Sequence, residues 1–158
     1  MLDSSRELLG VQDATIDNKG RLAIPAKFRE ILRAYDSPVL YTTLKSRTHL
    51  LLYPEQNWRT VVEEELPKMN GNPTLRAIGQ LMQSHMEKLT PDSAGRILLP
   101  PRLRSLMEFA EDKDVVVAGR TDRLEMWSRT RWDEQTGAIL DMDPAALEAE
   151  LAKNNVRI

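Results

Sequence analysis

Two stretches, Asp17-Asn18-Lys19-Gly20-Arg21-Leu22-Ala23-Ile24-Pro25 and Asp92-Ser93-Ala94-Gly95-Arg96-Ile97-Leu98-Leu99-Pro100, are one motif written twice, 75 positions apart. Extended through the following helix-like segments, DNKGRLAIPAKFREILR aligns with DSAGRILLPPRLRSLME. Asp17/Asp92, Gly20/Gly95, Arg21/Arg96, Pro25/Pro100 and Arg29/Arg104 coincide. Average residue usage would give about one such identity by chance, so the chain contains an internal repeat. Downstream, Tyr53 and Trp58 correspond to Trp127 and Trp132 at an offset of 74, one less than before, which one small insertion explains.

The repeat unit predicts its own elements. In each DxxGR stretch, three residues with Gly last separate two short apolar strands, the pattern of a type I turn closed by a left-handed glycine. Pro25 and Pro100 open short helices, since a missing N–H costs nothing in a first turn. Phe28, Ile31 and Leu32 then share one helical face, and Leu103, Leu106 and Met107 repeat that stripe. Leu40 to Leu44 with Leu50 to Tyr53, and Val115 to Ala118 with Leu124 to Trp127, read as antiparallel hairpins. Each half is therefore strand, tight turn, strand, short helix, strand, turn, strand, helix. The first repeat spans 11–58 and the second 86–132. Between them Leu75, Ile78, Leu81, Met82 and Met86 recur at helical spacing, which predicts a packed linker helix over 73–88. The tail, 133–158, is acidic. In it Asp143 and Pro144 form an N-cap and first helical position, leading a surface helix that either supports an assembly or frays.

The 158 residues, 41% hydrophobic and 29% charged, suit a folded globular protein. Absence of Cys removes disulfides, thiolate metal sites and cysteine nucleophiles. His49 and His85 lack carboxylates at metal-ligand spacing, so neither a metal nor another cofactor is expected. No apolar run reaches a membrane span, and the N-terminal residues lack the pattern of a signal peptide. The expected setting is cytoplasmic.

Net charge is −2, but it is unevenly spread. Lys19, Arg21, Lys27, Arg29 and Arg33 crowd a segment whose acid is Glu30, whereas Glu134 to Glu150 is purely acidic. Two readings of the turn compete. An Asp and an Arg facing across a ladder would staple it by about 0.2–1 kcal/mol. An Arg held by an Asp is also pre-organised for bidentate contact with guanine or phosphate, and the local excess of cations favours that second reading. Use of Asp17 or Asp92 as a general base is disfavoured, because the Arg four residues on stabilises the ionised carboxylate; no enzyme activity or small-molecule substrate is expected. A non-DNA interaction scaffold or antitoxin-like module is the rival reading, since an acidic tail and open strand edges suit protein contacts.

The duplicated DxxGR turn, each followed by an apolar strand, Pro and an Arg-bearing helix, resembles the MraZ family of bacterial transcription regulators, related to the AbrB and SpoVT swapped-hairpin proteins. The resemblance runs from Val11 to Trp132 and includes Leu50 to Pro54 and Leu124 to Trp127. It implies an α+β, mainly β fold, a double-split β-barrel of two βαββ repeats with flanking helices, and chains assembled into a ring-shaped homo-oligomer. It also implies a nucleoid-associated repressor that binds short G-rich direct repeats in duplex DNA ahead of a cell-division and cell-wall gene cluster. The family's functional arginine falls on Arg21, with Asp17 in its supporting place and Gly20 in the turn; Lys19, Lys27 and Arg29 are expected as further DNA contacts from their clustered charge, not from the resemblance. Asp92, Gly95 and Arg96 are the second-repeat equivalents. Ala94 stands where the first turn has Lys19, so the first turn is expected to supply the principal contact and the second to serve mainly as a barrel element.

Overall fold

A computed structural model describes residues 3–109 and 113–158; residues 110–112 of the second repeat lie outside it. The order of strands and helices is β1 (Val11–Thr15), β2 (Arg21–Ala23), α1 (Ala26–Leu32), β3 (Leu40–Thr43), β4 (Leu50–Pro54), α2 (Glu55–Thr60), α3 (Pro73–Ser84), β5 (Glu87–Leu89), β6 (Arg96–Leu98), α4 (Pro101–Leu106), β7 (Asp114–Gly119), β8 (Leu124–Ser128), α5 (Arg129–Leu140) and α6 (Pro144–Lys153). The expected hairpins form, β3 with β4 and β7 with β8. Pro25 and Pro100 sit at the N-caps of α1 and α4, one position earlier than expected, and Pro101 takes the first turn. The linker helix is shorter than the periodicity predicts. It stops at Ser84, and Glu87 and Lys88 pair with Thr42 and Tyr41 in a strand. At the tail, Asp143 caps α6 by accepting from the Ala145 amide.

The fold is α+β with antiparallel sheets, and the two repeats are interleaved. One sheet runs β1-β7-β8-β4-β3-β5, and a separate two-stranded ribbon joins β2 to β6. Strand β1 of the first repeat therefore pairs with β7 of the second, Val11 opposite Ala118. The strands flanking each DxxGR turn part company beyond it; between β1 and β2 only a bridge from Ile16 to Leu22 remains. Neither repeat completes its own hydrogen bonding.

Burial explains the exchange. Leu22 and Ile97, opposite each other at the centre of the ribbon, are both buried, as are Phe28 and Leu103 on the two short helices. They join Leu50, Leu52, Val115, Val117, Leu124 and Met126 from the large sheet in one core. The alternate face of β4 also faces protein: Leu51 and Tyr53 pack with Trp58 of α2 and Met82 of α3. Strand β4 is buried along its whole length, which accounts for its unbroken apolar run. The sequence match of aromatic pairs is a structural one. Tyr53 and Trp58 lie 5.5 Å apart between ring centres, and Trp127 and Trp132 also lie 5.5 Å apart.

Candidate nucleic-acid interface

Each DxxGR turn is fixed by its own aspartate. In the first, the Gly20 amide donates to the Asp17 carbonyl at 3.0 Å and the Asp17 amide to the Arg21 carbonyl at 2.9 Å, and Gly20 takes φ of 82°. A side chain is rarely tolerated there. Asp17 Oδ1 accepts from the Lys19 and Arg21 amides, both at 2.9 Å, and Oδ2 from Arg21 Nε at 2.8 Å. The second turn repeats this atom for atom: Asp92 Oδ1 accepts from the Ala94 and Arg96 amides and Oδ2 from Arg96 Nε, each at 2.9 Å. Both carboxylate oxygens are used, one for two backbone amides and the other for the guanidinium.

The hydrogen bond from the Arg21 amide, helped by the Arg21 guanidinium and the Lys19 amide, holds the Asp17 carboxyl down at about 2. Asp92 is lowered by the equivalent bonds, that from the Arg96 amide foremost. Both are therefore weak proton acceptors near neutrality. The aspartate engages only Nε, so among the described residues the two terminal nitrogens of each guanidinium have no hydrogen-bond acceptor.

The ribbon brings the two arginines together. Arg21 stands opposite Leu98, and Arg96 opposite Ala23, with Leu22 and Ile97 turned inward between them. Alternation along a strand then places Arg21, Ala23, Arg96 and Leu98 on one outward face. Their side chains are comparably exposed, 32% for Arg21 and 38% for Arg96. The expectation that the second turn is mainly a barrel element thus gains no support from Arg96, which sits on the same face as Arg21 in the same geometry. The exchange continues past both turns: the Ile24 amide donates to the Gly95 carbonyl and the Leu99 amide to the Gly20 carbonyl, both at 3.0 Å.

The other basic residues disperse. Arg29 does not join the first turn. It crosses to the second, where a Cβ on Gly95 would fall 2.5 Å from Arg29 Cδ, and its Nη1 donates to the Ala94 carbonyl at 3.4 Å. Lys27 turns toward Gly10, at whose position a Cβ would lie 2.3 Å from Nζ. Lys19 stays at the tip of the first turn. In place of Arg29 the first turn receives Arg104, against Gly20, and Lys113, whose Nζ donates to Asn18 Oδ1 at 2.7 Å. Neither stands out in the sequence. The repeat alignment of Arg29 with Arg104 is the one signal there, but only the β2–β6 exchange shows that each helix serves the opposite turn.

His49 lies beside the single carboxylate of Glu125, but among the described residues no group of three or more His, Cys, Asp or Glu could hold an ion. Among the described residues, no helix is long and apolar enough to cross a membrane.

Comparison with known proteins agrees with the duplicated architecture. A family model described as MraZ protein, with an antitoxin-like label, matches residues 8–79 and again 82–155. A Chromobacterium violaceum protein named Transcriptional regulator MraZ is 49% identical over 142 residues, covering 90% of this chain and 95% of its own length. A protein of the same name from Neisseria meningitidis serogroup C is 41% identical over 150 residues, covering 94% and 98%. One from Thiobacillus denitrificans is 34% identical over 142 residues, covering 90% and 95%.

Proposed function

Because this chain belongs to the MraZ family, we propose that it is a transcriptional regulator that binds duplex DNA through the outward face of the β2–β6 ribbon. The observation that carries the reading is the paired presentation of Arg21 and Arg96. Each is clamped by Nε to an aspartate, and each keeps its terminal nitrogens for guanine O6 and N7 or for phosphate. A two-stranded antiparallel ribbon fits the major groove. Lys19 supplies charge at the tip of the first turn and Arg29 beside the second, and Lys27, turned toward Gly10, adds charge farther from the ribbon. Gly20 and Gly95 make the turns possible.

The preferred target is short G-rich direct repeats, and the regulatory outcome is repression of a cell-division and cell-wall gene cluster by a nucleoid-associated cytoplasmic protein. A ribbon of three residues per strand offers few contacts, so several chains acting together, as in a ring-shaped homo-oligomer, would raise apparent affinity by roughly 10²–10⁴ where spacing fits. Exposed Ile139 and Leu140 at the end of α5, with Met142 just beyond it, supply apolar surface for such contacts. The test is a titration of duplexes carrying tandem G-rich repeats, or a scrambled sequence, across a range of salt. The regulator discriminates between them and binds with a steep salt dependence; equal, weak binding to both would favour the interaction-scaffold reading.

A further inference from the structure

We propose that the phosphate-binding surface at the first turn is built by both repeats, with Arg104 and Lys113 of the second repeat contacting the DNA backbone beside Lys19 and Arg21. The proposal rests on the DNA-binding reading above and adds two ligands for phosphodiester oxygens.

Arg104 is laid flat against the turn. A Cβ on Gly20 would lie 2.4 Å from Arg104 Cζ, 2.5 Å from Nη1 and 2.8 Å from Nε, so the guanidinium occupies space that only a glycine leaves open. Its Nε donates to the Leu99 carbonyl at 3.0 Å, which fixes the plane of the group and leaves both terminal nitrogens for another acceptor. Arg33, Arg59, Arg129 and Arg131 each have a carboxylate partner. Arg104 has none among the described residues. A guanidinium held rigid and not neutralised by protein is the form in which arginine binds phosphate.

Lys113 is tethered to the same turn from a different element. Its carbonyl accepts from the Ile16 amide at 2.9 Å, and its ammonium group reaches Asn18 at 2.7 Å. Lys19, Arg21, Arg104 and Lys113 thus converge on a turn whose own carboxylate is Asp17. A turn required only for folding gains nothing from like charges crowded against it; an anion from outside relieves the repulsion.

The second turn lacks this set. Arg29 reproduces Arg104, but Ala94 replaces Lys19, and the position matching Lys113 is Pro38 or Val39. Two turns with the same backbone and the same Asp–Arg pair therefore differ in the charge gathered around them. The composite surface belongs to the first, and it restores on structural grounds the inequality that Arg21 and Arg96 alone do not show.

The experiment uses the full chain, one duplex with tandem G-rich repeats and one scrambled duplex, with affinity followed against salt for Arg104→Met, Arg104→Lys and Lys113→Gln. Each neutralised cation is expected to lower the slope of log affinity against log salt by about 0.9, the value for one phosphate contact, and to weaken both duplexes by the same factor. Arg104→Lys keeps the charge and is expected to keep the slope. Lys113 is exposed, so its variant reports even if removal of Arg104 disturbs packing; parental melting temperature and assembly mark the variants that count. Parental slopes in folded Arg104→Met and Lys113→Gln overturn this proposal while DNA binding stands. Failure of the parent to bind either duplex overturns both.

Discussion

His49 and Glu125 meet where the two repeats are sewn together, at the β4–β8 junction, with Nε2 and Oε2 3.3 Å apart and both side chains buried. The imidazole also stacks on Trp127, with ring centres 4.6 Å apart, and its Nδ1 is 2.9 Å from the Thr48 hydroxyl. Glu125 accepts hydrogen bonds from Arg120 Nε and Trp127 Nε1 on its other oxygen. Burial lowers the His49 pKa, outweighing the attraction of Glu125, with Lys45, Arg120 and Arg123 adding repulsion. Burial raises that of Glu125, but Arg120, His49 and Trp127 together bring it below its ordinary value.

A histidine lowered in the folded state binds its proton more readily once unfolded. Stability is therefore retained above the unfolded pKa of about 6.5 and lost as pH falls below it. Glu125 contributes a further loss below about pH 4.5, where the unfolded carboxylate begins to protonate. The expected outcome is a denaturant midpoint that declines between pH 7 and 5 in the parent and declines less in His49→Gln. Parallel pH curves for the two would remove His49 as the cause.

Arg21→Ala should cost roughly 1–3 kcal/mol for each base that the arginine reads, and narrow the gap between operator and scrambled DNA. Arg96→Ala should weaken binding as well, since both arginines share the ribbon face, but by less, because the second turn lacks counterparts of Lys19 and Lys113. Affinities of the two variants on the same duplex, with melting temperatures alongside, decide the ranking. A folded Arg21→Ala protein with parental affinity would return the Asp17–Arg21 pair to a purely structural role.

Thr43 shows a different dependence. Its buried hydroxyl donates to the Met82 carbonyl at 2.6 Å, tying β3 to the end of α3. That carbonyl is among the last four of its helix, which have no partner within the helix. Thr43→Val keeps the shape but leaves the oxygen buried and unpaired, a loss of about 1–3 kcal/mol. Chemical denaturation of the variant would show a lower midpoint with an unchanged slope.

Light scattering at micromolar concentration should find a multimer, and dilution that dissociates it should weaken binding to tandem repeats more than to a single repeat. A monomer that bound one repeat tightly would separate DNA recognition from assembly.

Much of this is readable in the chain because it is local. The turn at Asp17 to Arg21 needs a left-handed residue at Gly20 and an acceptor at Asp17, and both are spelled out within five positions. The stripe of Phe28, Ile31 and Leu32 likewise follows from helical spacing. What escapes the sequence depends on pairing across the chain. Arg29 looks like a neighbour of Arg21 because eight positions separate them, yet the pairing of Leu22 with Ile97 carries its helix to the opposite turn. The same pairing brings Arg104 to Gly20. Lys113 belongs to the segment leading into β7, and no periodicity links it to Asn18. His49 and Glu125, 76 positions apart, offer no spacing to read.

Strand exchange between repeats on one chain has a consequence for direction. Two identical subunits joined by a two-fold axis present identical halves and match a palindrome. Here the two halves of the ribbon are covalently distinct and have diverged, with Lys19 at one end and Ala94 at the other. If the ribbon binds DNA as proposed, it has a front and a back, and settles on a duplex in a preferred orientation. Successive copies placed head to tail would then meet sites that all point the same way.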